Sequence, residues 1–221
     1  MNVVIVGANR GIGLALVQKY LQKGENVWAI CRNLSPALEN IDHSALTILS
    51  GIDVTIEHSR EQMLEELPSV IDHFVHNAGI LERNTIHNID EQSIKRQFIV
   101  NSLAPLQTIT TCINKLQNGS KVGIITSRMG SMSDNTSGSH YGYRMSKAAV
   151  NMAGVSLAQD LSPRGIGVYL LHPGYVRTDM TGGNGFIDSA ESAEGLVARM
   201  YELSIDQSGS FWHCNGDALP W

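Results

Sequence analysis

The 221-residue chain has only three cysteines, Cys31, Cys112 and Cys214, far apart and without a CxxC pair. That excludes a disulfide framework, argues against a structural zinc site, and fits buried thiols in a reducing compartment. Charged residues make up 17%, with 16 Lys and Arg against 21 Asp and Glu, a net charge of −5. No basic cluster stands out, so no nucleic-acid surface is expected. Six prolines are too few for a fibrous chain, and 43% hydrophobic residues are too many for a disordered one. No apolar run approaches the roughly 18 residues of a membrane span. The first residues carry no secretory pattern, which points to the cytoplasm. The eight histidines show no metal-like spacing beside carboxylates, so no metal is expected.

What is present is an alternation of short β-branched runs and longer helical stretches. Val3–Val6 is all apolar, as in a strand covered on both faces. Arg10 to Lys23 repeats apolar residues at helical spacing and meets Gly24 as a terminator. Further strands are expected at Asn26–Cys31, Leu46–Leu49, Val70–Val75, Val122–Thr126, Val168–His172 and, short and last, Gly209–His213. Helices are expected over Glu57–Leu67, over Ile94–Leu116 with a break at Pro105, over Tyr141–Leu161 and over Ser189–Leu203. This order predicts one α/β domain over 1–221: a doubly wound parallel sheet of about seven strands with helices on both faces.

Gly7, Gly11 and Gly13 lie between the first strand and the first helix, in Gly7-Ala8-Asn9-Arg10-Gly11-Ile12-Gly13. Glycines placed so allow the tight turn and the close approach of backbone to a pyrophosphate at a helix N-terminus. The second strand ends without the acid that would repel a ribose 2′-phosphate and carries Arg32 instead, while Arg10 sits in the loop itself. Guanidinium forks suit a phosphate dianion. NADP(H) is therefore favoured, with NAD(H) as the other option.

Tyr143 and Lys147 are four apart and share a helix face. A phenol near pKa 10 needs a neighbouring cation to work as an acid–base group at neutral pH. Tyr141 has Met145, not lysine, at that spacing.

Taken in order, Gly7-x-x-x-Gly11-x-Gly13, Asp53-Val54-Thr55, Asn77-Ala78-Gly79, Asn101, Ser127, Tyr143-x-x-x-Lys147 and Pro173-Gly174 resemble the short-chain dehydrogenase/reductase family over essentially the whole length. Thr126–Ser131 and Tyr143–Ala149 further resemble its C-factor-like subgroup, akin to the sniffer carbonyl reductases. The resemblance implies a single-domain Rossmann fold. It makes Tyr143 the general acid, Lys147 the holder of the nicotinamide ribose, Ser127 the orienter of the substrate oxygen and Asn101 a holder of a relay water. It puts Asp53 and Val54 by the adenine, Asn77, Ala78 and Gly79 along the adenosine side, and Pro173, Gly174, Val176 and Thr178 at the nicotinamide end. Asn9, Arg10 and Ile12 belong to the cofactor loop.

Three departures stand out. Val6 replaces the hydroxyl residue common before Gly7, and His76 stands where Asn is commoner. Ser127 is 16 residues before Tyr143, a longer gap than usual; Ser131, 12 before it, is the alternative, and Ser127 is preferred because it directly follows the strand.

His76 and His172 read as packed, hydrogen-bonded histidines. Met129, Met132 and Met180 suit either an adaptable pocket or core filling. The aromatic C-terminal segment reads as a packed tail with some oligomer role. The Gly/Asn-rich stretch from Thr178 to Ser189 reads as mobile, ordering on cofactor binding. The resemblance further implies association through the Ile94–Leu116 and Tyr141–Leu161 stretches as a homodimer or homotetramer, and small residues on the second would permit close helix packing. The function implied is hydride transfer between NADP(H) and a small carbonyl or alcohol. The alternative is C-factor-like signalling or dinucleotide sensing.

Overall fold

The computed structural model describes all residues, Met1–Trp221. Seven strands form one sheet: β1 (Asn2–Val6), β2 (Asn26–Ile30), β3 (Leu46–Leu49), β4 (Ile71–His76), β5 (Leu116–Ile125), β6 (Gly167–His172) and β7 (Phe211–His213). They lie in the order β3-β2-β1-β4-β5-β6-β7, and every pair is parallel. Parallel neighbours require crossovers, and helices supply them: α1 (Gly11–Gln22), α3 (Glu57–Glu66), α4 (Glu91–Phe98), α5 (Ala104–Thr111), α6 (Tyr141–Leu161) and α7 (Ser189–Glu202), with a single turn α2 (Pro36–Glu39) before β3.

The apolar runs alternate between the two faces of the sheet. Val3, Ile5, Ala29, Val75 and Leu171 pack with α1 and α7. Val4, Val6, Ile30, Phe74, Val122 and Ile124 pack with residues of α3, α5 and α6. Strands β1 and β4 are central, and both faces of β1 are buried. From β1 the chain winds to one side through β2 and β3, then returns at β4 and winds to the other. The connections that leave the carboxyl ends of β1 and β4 therefore run in opposite directions, which leaves a crevice between them.

Two elements depart from the sequence expectation. The stretch expected as one helix over Ile94–Leu116 is α4, a π-helical turn (Ile99–Leu103), then α5 with Pro105 in its first turn. Strand β5 begins at Leu116 rather than Val122, because the register shifts between Ile71 and His73 and the Ser120 hydroxyl donates to Ile71 O at 2.6 Å.

Candidate active site

A cleft of about 700 Å³ opens at the carboxyl ends of β1, β2 and β4. Gly7, Asn9, Arg10, Gly11, Ile12, Arg32, Asp53, Val54, Asn77, Ala78, Gly79 and Thr178 all line it. Gly7 makes the turn out of β1 at φ +82°, a conformation other residues avoid. Gly13 lies beneath the loop; a Cβ there would stand 1.9 Å from Gly7 O. Asn77 Nδ2 donates to the same Gly7 O at 2.9 Å, so the end of β4 braces the glycine loop. The first turn of α1 contains no acid, which leaves its amide dipoles open to an anion.

Arg32 Nη1 lies 3.6 Å from Asp53 Oδ2, and Arg10 Nη1 lies 2.8 Å from Asp179 Oδ2. Burial works to raise the Asp53 carboxyl, but hydrogen bonds from Thr55 and the Arg32 charge outweigh it and hold it below its ordinary value. Both arginines thus stand at the rim of the cleft as expected, each with a carboxylate neighbour that sequence reading had not foreseen.

The second group of predicted residues meets beyond this cleft. Ser127 lies two residues beyond the end of β5 and is buried, and its hydroxyl accepts from Met129 N at 3.1 Å. Burial pushes the Tyr143 phenol up to about 12, opposed by a hydrogen bond with Ser127. Lys147 Nζ donates to Ile125 O at 2.9 Å and sits 5.8 Å from the Tyr143 ring centroid. Burial pushes its ammonium down to about 8. The phenol stays above its ordinary value because desolvation by burial outweighs the effect of the neighbouring ammonium. Ser131 is engaged within its own loop, with Ser133 and Asp134, whereas Ser127 reaches the phenol.

Asn101 occupies the π-helical turn. Its Oδ1 accepts from Ile80 N at 2.8 Å, and its Nδ2 donates to Ile80 O and to Ser146 Oγ. Both amide hydrogens are therefore committed to the protein, and only the second lone pair of Oδ1 is free for anything else. Asn101 Oδ1 and Lys147 Nζ lie 3.2 and 3.7 Å from the point where a Gly79 Cβ would stand. Gly79 keeps that gap open.

At the nicotinamide end proposed from sequence, Pro173 O accepts from the Ser192 hydroxyl, Gly174 turns at φ +90°, and Val176 is buried and bridged to Ile187. These three do not line the cleft. The segment expected to be mobile is internally tied instead. Thr178 and Thr181 cap a short turn, Gly183 N donates to Thr178 O, and Arg177 Nη1 donates to Gly185 O and Phe186 O. Met180 lines the cleft, whereas Met132 stands exposed. The tail packs as expected, with the Trp221 ring stacked on Phe211 at 5.3 Å.

The histidines correct a second expectation. Burial drives both His76 and His172 down to about 3, so both are neutral. Yet neither ring nitrogen of His76, nor Nδ1 of His172, has a hydrogen-bond partner among the side chains and main chain around it.

Sequence reading missed several residues that hold the site. Gly130 lets the loop after β5 approach the main chain of Lys147, where a Cβ would come within 2.7 Å. Ser102 Oγ donates to Ser146 O, pinning the π-turn to α6. Ile52, Val100, Arg177 and Asp179 also line the cleft. Only an isolated glycine after a strand end hinted at any of them.

Comparison with known proteins identifies the family and the fold. The family model for short chain dehydrogenases matches residues 1–185. The chain is 39% identical over 228 residues to 1-hydroxy-2-glutathionyl-2-methyl-3-butene dehydrogenase of Rhodococcus sp. (strain AD45), covering 99% of both chains. It is 38% identical over 154 residues to C-signal of Myxococcus xanthus, covering 68% of this chain and 93% of that one. Among solved structures, carbonyl reductase Sniffer of D. melanogaster superposes with a TM-score of 0.94 at 29% identity, covering 100% and 99% of the two chains. The NADPH-bound carbonyl reductase from chicken fatty liver gives 0.90 at 29%, covering 100% and 98%.

Proposed function

We propose that this chain, which belongs to the short-chain dehydrogenase family, is an NADP(H)-dependent reductase of small carbonyl compounds that can also run backward on alcohols. Family membership makes it an NAD(P)-dependent oxidoreductase. The observation that carries the finer reading is the meeting of Ser127, Tyr143 and Lys147 beside a glycine-walled cleft. NADPH bound to the chicken carbonyl reductase supports the choice of cofactor, as do Arg10 and Arg32 at the rim.

The residues present fit such a group. The loop from Gly7 to Gly13 and the start of α1 would cradle the pyrophosphate, with Asn9 and Ile12 beside it. Arg10 and Arg32 would take the 2′-phosphate. Asp53 and Val54 would flank the adenine, and Asn77, Ala78 and Gly79 the adenosine side. Thr178 would bound the nicotinamide end from the cleft, with Pro173, Gly174 and Val176 supporting it from behind and Lys147 on the ribose. When bound, the dinucleotide supplies hydride; the protein supplies orientation and electrostatics.

Tyr143 donates the proton to the carbonyl oxygen while Ser127 orients that oxygen. A buried phenol near 12 stays protonated at neutral pH, which is the state an acid needs. The nascent alkoxide is a base comparable with hydroxide, so a phenol at that value still donates to it downhill. The Lys147 ammonium stabilises the phenolate left behind. Alcohol oxidation needs that phenolate beforehand, so the arrangement favours reduction at neutral pH.

Two or four copies associate through the outer faces of α4, the π-turn and α6. Phe98, Ile99 and Leu103 stand exposed there, with Met145 and Met152 exposed on α6. Likeness to C-signal favours a second reading, in which dinucleotide binding serves signalling more than turnover.

The test is NADPH consumption across aldehydes, ketones, diketones and the aldehyde of a glutathionyl alcohol, a choice prompted by the Rhodococcus relative. Turnover of at least one class is expected. Protein that binds NADPH yet turns over none of them would refute the reductase reading and favour the second.

A further inference from the structure

His76 ends β4 directly under the catalytic group, yet the mechanism above does not use it. It is 1% exposed and does not line the cleft. Its neighbours in the sheet are Val6 of β1 and Ile124 of β5, both apolar. Phe74, two residues back on the same face, packs into the α5–α6 side of the core, which places the imidazole under α6. Lys147 bonds the carbonyl of Ile125, one residue beyond the position paired with His76. The two groups are close enough that the ammonium opposes protonation of the imidazole.

A neutral imidazole has one donor and one acceptor, and neither finds a partner in the protein other than the residue's own main chain. Leaving both buried and unmatched is strongly unfavourable, and native structures meet such groups with ordered water. Lys147 is in the complementary position. Its Nζ has three hydrogens and one protein acceptor, Ile125 O. Asn101, the residue expected to hold water for it, has committed both amide hydrogens to Ile80 and Ser146. Asn101 can accept from a water only through the free lone pair of Oδ1, in the gap at Gly79; a water on the β4 side of the ammonium has His76 as its anchor. The titratable groups around the ammonium are Tyr143 on its own helix, His76 from β4 and His172 from β6; no carboxylate is among them.

We propose that His76 is a positioning residue that anchors a buried water against Lys147 and so keeps the ammonium solvated and charged beside Tyr143. It rests on the reading of Tyr143 and Lys147 given above. A histidine suits the task because, held neutral, it offers both an acceptor and a donor without repelling the ammonium. An aliphatic side chain at 76 would leave Lys147 less solvated and its positive charge less stable.

The experiment compares His76→Leu, His76→Asn and Tyr143→Phe with the native enzyme. It adds a measurement needing neither substrate nor cofactor: ¹⁵N shifts of the His76 ring in the unmodified protein. Those shifts should show a neutral imidazole hydrogen-bonded at both nitrogens. His76→Leu should lower kcat about tenfold, the effect of one hydrogen bond to a charged group, with the Kd for NADPH within about twofold. It should also move the fall in reduction rate at high pH to lower pH, because Lys147 loses its proton sooner. His76→Asn, which can still hold water, should restore most of both. A native pH profile and kcat in His76→Leu, or ring nitrogens with no bonding signature, overturns the proposal; the second result stands even if the leucine variant fails to fold. If Tyr143→Phe turns over like the native enzyme, both readings fall. If it is inactive while His76→Leu is native, only this one does.

Discussion

Replacing Lys147 by methionine should lower activity and raise stability together. The ammonium sits 5.8 Å from the Tyr143 ring. At an effective dielectric of about 20, a charge at that distance stabilises the developing phenolate by about 3 kcal/mol. Its loss should slow reduction roughly 100-fold. Stability moves the other way. Burial lowers the Lys147 pKa from 10.5 to about 8, so keeping it charged in the fold costs about 3 kcal/mol. The lost bond to Ile125 O returns about 1 kcal/mol of that. The methionine variant should then gain about 2 kcal/mol at pH 7, or about 5 °C in Tm for a chain of this size. The sign follows from linkage: the folded pKa lies below the unfolded one, so the cost is complete below pH 8 and fades as pH rises toward 10.5. The gain should fade over the same window. In the native enzyme the reduction rate should fall as Lys147 loses its proton above about pH 8. Stopped-flow NADPH oxidation and thermal melts at pH 7 and pH 10 measure both effects. A methionine variant that is slow and also less stable would refute the reasoning, as would one that reduces at the native rate.

Gly13→Ala should abolish NADPH binding in a fluorescence titration, because the added methyl stands 1.9 Å from Gly7 O and 2.7 Å from Asn77 Nδ2 and forces the glycine loop open. Arg32→Ala should weaken NADPH tenfold or more while leaving NADH within about threefold, the worth of one charge-assisted contact to a phosphate; equal losses for both cofactors would remove Arg32 from that role. Ser127→Ala should cut kcat at least 100-fold, the scale of losing one oxyanion donor, whereas Ser131→Ala should stay within about threefold because its hydroxyl serves its own loop; steady-state kinetics on both decide between them.

Much of this arrangement was legible because its signals are local. β1 and α6 carry their own apolar patterns, and the Tyr141–Leu161 bounds match the structure residue for residue. The glycine loop could be placed because turn, strand and helix follow one another directly. What escaped depends on contacts between distant segments. The Arg10–Asp179 pair joins residues 169 apart, and the Arg177 guanidinium ties back a segment whose glycines alone suggested mobility. The π-turn at Asn101 is a change in main-chain hydrogen bonding, fixed by contacts of Asn101 and Ser102 with Ile80 and Ser146, which are distant in sequence. The early start of β5 hides in Gln117–Ser120, a polar run that bulges between the Leu116 and Lys121 pairings with β4 and is held there by the Ser120 hydroxyl on Ile71 O. The unpartnered ring nitrogens of His76 and the unpartnered Nδ1 of His172 are a property of the packed interior, and no sequence pattern carries them.

The central claim is that Tyr143 gives its proton to a carbonyl oxygen. Tyr143→Phe keeps the ring and removes only the hydroxyl, so the most direct measurement is its single-turnover reduction rate beside its NADPH affinity. NADPH affinity unchanged with reduction slowed at least 100-fold, the lower end of general acid catalysis, is the predicted result. Reduction at the native rate by the phenylalanine variant would contradict it.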